Sequence, residues 1–132
     1  MLGTRPTILS LTLATLLSVG PTLAADPIPV MLGGEPEMDA CPGWGEVRGL
    51  DPDGDGFLAV RTGPGTGYPM IDRLHEGDGV HFCDERGDWI GIVHGEPGQD
   101  CGADSPVARR QPYRGPCKSG WAHRNWLVLL AG

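Results

Sequence analysis

Between Phe57 and Leu74 the chain reads F-L-A-V-R-T-G-P-G-T-G-Y-P-M-I-D-R-L, and this stretch restricts the fold more than any other. Leu58 and Val60 alternate with Phe57, Ala59 and Arg61, the period-two pattern of a half-buried strand. Gly63, Pro64, Gly65 and Gly67 follow at once. Such a cluster cannot lie inside a helix, because proline lacks the donor and glycine loses most backbone entropy on ordering. The strand must end there, and a second apolar run opens at Met70 and Ile71.

The same grammar recurs along the chain. Val47 is the core position of a short strand around Gly45–Leu50; Val80 and Phe82 share one side of the next, and Ile90 and Ile92 one face of Trp89–His94. A closing strand starts at Trp121 and ends in the apolar run to Leu130. No segment after the first 24 residues carries a 3.6-residue apolar stripe, so the domain is all-β. About six short strands in so few residues predict a small barrel. Asp51-Pro52-Asp53-Gly54-Asp55-Gly56 resembles the start of a calcium loop, but Thr62 stands where a bidentate Glu is needed. The run reads as a turn.

The N-terminus has a different character. Arg5 precedes an apolar run from Ile8 to Val19, and Thr22-Leu23-Ala24 offers small residues for cleavage. Residues 1–24 read as a signal peptide, with no stable membrane insertion once it is removed. Residues 25–40, with Pro27, Pro29, Pro36 and Gly33-Gly34, read as an extended tether, and 41–132 as the folded domain. That leaves about 108 residues and a modest core. Cys41, Cys83, Cys101 and Cys117 all fall beyond the leader and contain no C-x-x-C, which favours disulfides over zinc. Three connectivities are possible. The stretch 95–119 holds Pro97, Pro106, Pro112 and Pro116 and no periodicity, and reads as a long loop. A Cys101–Cys117 bridge would close roughly 15 residues of it, worth on the order of 3 kcal/mol, and leaves Cys41 with Cys83.

Charge divides the chain. All 17 acids lie between Asp26 and Asp104, among only Arg48, Arg61, Arg73 and Arg86. After Ser105 come Arg109, Arg110, Arg114, Lys118 and Arg124 and no acid. Net negative charge argues against nucleic acid as a partner. The basic segment is expected to lie against acidic strands of the same domain, the alternative being a patch that faces an anionic partner.

Leu58-Ala59-Val60-Arg61-Thr62-Gly63-Pro64-Gly65-Thr66-Gly67-Tyr68, followed by Ile71, resembles the opening signature of bacterial SH3 (SH3b) domains. Gly77 to Val80, the strand at Trp89 and Gly120-Trp121-Ala122-His123 match later landmarks of that family in order. Ala59 departs from the family's preferred Asn, and the loop 95–119 is longer than usual. The resemblance implies a small SH3-like β-barrel of periplasmic or secreted type. It further implies a binding module that meets a peptidoglycan peptide or an envelope protein segment. Tyr68 and Pro69 would form one bank of a shallow groove and Trp89 the other, with Tyr113, Arg110 and Arg114 as a cationic lip. An alternative is an assembly partner that docks through the basic 105–118 loop.

Catalysis is not expected. Cys117 and His123 suggest a thiol and base, but a bridged sulfur cannot attack. His75, His81, His94 and His123 lack ligand spacing and read as exposed strand or turn residues, so neither metal nor cofactor is expected. A small metal-binding protein is the weakest alternative. Trp121 and Trp126 read as core.

Overall fold

The computed structural model describes residues 2–20 and 23–132. The chain is all-β. Its strands are β1 (Met31–Leu32), β2 (Gly43–Val47), β3 (Leu58–Arg61), β4 (Met70–Leu74), β5 (Gly79–Arg86), β6 (Trp89–His94), β7 (Gln111–Pro112), β8 (Lys118–His123) and β9 (Leu127–Ala131). A 3-10 turn, Arg124–Trp126, separates the last two. Seven strands form one antiparallel sheet in the order β4-β3-β8-β6-β5-β2-β9, while β1 and β7 pair separately. No ladder among the described residues joins β4 to β9, so the expected closed barrel is not among the pairings.

The sheet nonetheless curls. Val47 from one side and Leu58, Val60 and Leu74 from the other belong to a single buried cluster with Val80, Ile90, Ile92 and Ala122. This is the inner face, and it is built from the alternating positions that the sequence marks. Asp51–Gly56 is a turn, in which the Asp53 N–H donates to Asp51 Oδ1 at 2.9 Å.

The outer face has its own core, and here the tether expectation needs correction. Residues from Ile28 onward cross the sheet and pack onto it. The Ile28 N–H donates to the Thr62 carbonyl just after β3, and Trp121 Nε1–H of β8 donates to the Ile28 carbonyl. Val30 then lies over Gly91 of β6, and the Met31 N–H reaches Asp84 Oδ2 of β5 at 3.0 Å. The segment thus meets the strands in the order of the sheet. Gly91 permits this: a Cβ there would stand 3.1 Å from the Val30 side chain and 2.7 Å from that of Asp84. Val30, Leu32 and Ala40 are buried with Val93, Ala103 and Trp121.

Stretch 95–119 is the other half of this cover. The Ala40 and Cys41 N–H groups donate to the Ser105 and Ala103 carbonyls, the Tyr113 N–H to that of Val30, and β7 pairs with β1. The bridges are Cys41–Cys83, which fastens the cover to β5, and Cys101–Cys117. Trp121 is fully buried, whereas Trp126, expected in the core, is 39% exposed on the 3-10 turn.

Residues 2–20 are exposed and carry no regular secondary structure, and Thr22 of the expected cleavage site lies outside the described residues. Among the described residues no helix is long and apolar enough to cross a membrane.

Candidate functional site

A cleft of about 690 Å³ opens at one end of the sheet, where β2, the β4–β5 turn, the end of β6 and the start of the long loop converge. Trp44 forms one wall. On β2 the side chains alternate, so Val47 enters the inner core while Trp44 and Glu46 take the opposite face. Trp44 pairs with His81 of β5, and their rings meet edge-on at 4.8 Å. Gly79 is what lets the indole lie down: a Cβ there would stand 2.4 Å from the ring. The indole stays 41% exposed, an aromatic surface held on strand backbone.

Asp72 and His94 form another wall. Asp72 faces the inner side of β4, being paired with Val60, and His94 ends β6. His94 Nε2 lies 3.4 Å from Asp72 Oδ2, yet that nitrogen has no partner in hydrogen-bond geometry. His94 is only 8% exposed, and burial lowers its pKa below the usual histidine value. Asp72 and Asp78 oppose that shift and Lys118 adds to it. Lys118 Nζ stands 3.5 Å from the same Asp72 oxygen. His81 is also buried, with Nδ1 3.5 Å from Asp104 Oδ1. The expectation of exposed histidines is therefore corrected at His81 and His94: His81 lies under the cover layer beside Asp104, and His94 ends β6 on the inner side, against Asp72 of β4. His75 is exposed, and His123 is half-buried beside Trp89 at 5.3 Å.

The residues marked by sequence for a groove lie elsewhere, and neither this cleft nor a second one of about 440 Å³ gathers them. Tyr68 folds its ring over Gly63 within the β3–β4 turn, with Pro69 exposed beside it. Trp89 is half-buried against the outer core. Tyr113 is a brace: its hydroxyl donates to the Cys101 carbonyl at 2.7 Å and accepts from the Cys117 N–H at 3.1 Å. Arg110 pairs with Asp84 at 2.9 Å and borders the second cleft, while Arg114 is exposed. Three bases of the C-terminal segment do meet acids of the same domain: Arg110 with Asp84, Arg124 with Glu85 and Lys118 with Asp72.

Sequence reasoning missed Trp44. The signal was available: Trp44 stands an odd number of positions before the core residue Val47, so a period of two turns it to the opposite face, between two glycines. Among the described residues no three His, Cys, Asp or Glu side chains are grouped so as to hold a metal, and no cysteine is free. Comparison with known proteins adds no relative: no family model, curated protein or solved structure matches this chain.

Proposed function

We propose that this chain is an exported, non-catalytic binding module of the SH3b kind, and that it seats a peptidoglycan peptide or an envelope protein segment in the Trp44 cleft. The observation that carries the reading is Trp44 itself. A large aromatic surface is left open on a rigid strand, at the edge of a polar cleft, where packing alone gives no reason to leave it. Two disulfides fit an oxidising compartment, which agrees with the leader-like pattern of residues 1–24. The curled sheet around Val47, Leu58 and Ile92 suits the small SH3-like barrel that the Leu58–Tyr68 signature implies.

The test is sedimentation of the disulfide-bonded protein with purified peptidoglycan, together with capture from envelope extract. Trp44→Ala should lower retention at least about tenfold, the loss expected of a buried aromatic anchor, and leave the far-UV spectrum unchanged. Tyr68→Ala should retain binding. The reverse pattern would move the ligand to the Tyr68 and Trp89 side.

A second reading, docking of an anionic partner through the basic loop, draws on Arg109 and Arg114, which are exposed and without an ion pair among the described residues. Deleting 106–116 cannot test it, because Val107 and Tyr113 pack into the outer core. Arg109→Ala with Arg114→Ala can: unchanged capture counts against docking there.

A further inference from the structure

We infer that the Trp44 cleft recognises a primary ammonium group, such as a lysine-type side chain on a peptide, through Asp72 and His94. The inference rests on the reading of this cleft as the ligand seat and names what it selects.

Three independent features of the cleft converge. The first is its lining, where Glu46, Asp72, Asp78 and Glu96 outnumber Arg73 and Lys118. Acidic residues alone would mean little on a chain this acidic. The second is the orphaned His94 Nε2. It is buried, has no hydrogen-bond partner, and sits 3.4 Å from Asp72 Oδ2. Burial favours the neutral ring, and in its Nδ1–H tautomer Nε2 is an acceptor standing beside the Asp72 carboxylate oxygen. An ammonium has three donors and no acceptor, and it rotates freely to meet two acceptors at once. A carboxylate or sugar hydroxyl would bring lone pairs against them.

The third feature is Lys118, whose Nζ lies 3.5 Å from that same Asp72 oxygen. The chain already places an ammonium at the site. Its side chain is 75% exposed, so solvent screens the pair and an incoming ammonium displaces it at little cost. Trp44 lines the same cleft, and an aromatic ring there can take the cation or the methylene stem that carries it.

The experiment titrates isotope-labelled, disulfide-bonded protein with the blocked tripeptide acetyl-Ala-Lys-Ala-amide and with its Nε-acetylated form, watching the Trp44 indole N–H and the His94 ring by NMR. In parallel, peptidoglycan sedimentation is read for wild type and Trp44→Ala. The lysine peptide should move both reporters saturably, and Nε-acetylation should weaken it at least about tenfold, as expected for loss of a charge-assisted contact. Asp72→Asn should weaken it similarly. Lys118→Ala, a change at an exposed position that leaves the fold intact, should tighten it several-fold by removing the resident competitor.

Equal binding of the two peptides overturns the inference, as does a lysine-peptide response that Lys118→Ala leaves unchanged. If the lysine peptide gives no response while sedimentation still depends on Trp44, the ammonium inference falls and the ligand seat stands. If sedimentation is also independent of Trp44, both fall.

Discussion

Trp121 Nε1–H donates to the carbonyl of Ile28 at 2.8 Å, tying the largest fully buried side chain of β8 to a segment 93 positions earlier in the chain. The contact makes residues 28–40 part of the folding unit. Leu32→Ala should therefore destabilise the protein by about 2–4 kcal/mol, the range for a buried Leu truncation. That is comparable to a truncation at Ile92 on the inner face, although Leu32 precedes the first cysteine. Urea unfolding of the oxidised protein measures it, and a loss within about 0.5 kcal/mol, typical of a surface change, would return the segment to a tether.

The two bridges should not be equivalent. Cys41–Cys83 spans 42 positions and holds the cover on β5, whereas Cys101–Cys117 spans 16. Chain entropy alone ranks them at about 4 and about 3 kcal/mol. Their effects on the cleft should run the other way. The Gly95–Gln99 turn lies on the second bridge, where a Cβ at Gly95 would stand 2.7 Å from Cys117 Sγ, and the turn lines the cleft. Cys101→Ser with Cys117→Ser should cost less stability than Cys41→Ser with Cys83→Ser, but more ligand retention. Equal retention by both pairs would remove the second bridge from the site.

Gly79 offers a sharper test of Trp44. Gly79 has no positive φ, so alanine fits the backbone there and strain is not the issue. Its Cβ would meet the indole at 2.4 Å and force it off the strand. Gly79→Ala should shift the Trp44 indole resonance and lower binding nearly as far as Trp44→Ala, at a stability cost of about 1–2 kcal/mol for a local steric change. An unmoved indole would show that the platform tolerates a side chain.

The strands were legible in the sequence because each carries its own evidence: Val80 and Phe82, or Ile90 and Ile92, announce a face within three residues. The disulfides were legible for a similar reason, since the irregular stretch between Cys101 and Cys117 requires closure. The cover layer was not. Val30 and Leu32 stand among Pro27, Pro29, Gly33 and Gly34, and what buries them is Trp121, Ala103 and β7, all distant in sequence. The site was hidden for a related reason. Asp72 and His94 lie on β4 and β6, with β3 and β8 between them in the sheet, and meet only because the sheet curls. Local alternation records a face but carries no trace of that curvature. Tyr113 misled in the opposite sense. Its setting between Arg110 and Arg114 looks like an exposed lip, while its hydroxyl is spent on the backbone of Cys101 and Cys117.

His94 gives the fold a pH dependence whose sign follows from its burial. Its pKa is lowered from 6.5 because the charged ring is poorly solvated, with Lys118 adding repulsion and Asp72 and Asp78 only partly offsetting it. In the unfolded chain the ring protonates near its ordinary value. Between that pH and the lower folded value the unfolded state therefore binds more protons, so stability rises with pH across this window. The contribution is fully present above 6.5, erodes as pH falls toward the folded pKa, and is gone below it. Urea midpoints taken between about pH 7.5 and pH 5, above the range where most carboxylates titrate, should fall as the solution is acidified. His94→Gln, which cannot titrate, should flatten that part of the curve while the steeper loss at lower pH persists. A lysine peptide bound at Asp72 and His94 engages only the neutral ring of the folded protein, so its affinity should stay level across that window, drop only as pH falls to and below the folded pKa, and not show that drop in His94→Gln. A wild-type curve that is flat from pH 7.5 to pH 5, or one that His94→Gln leaves unaltered, would mean that another group sets the acid limit of this fold.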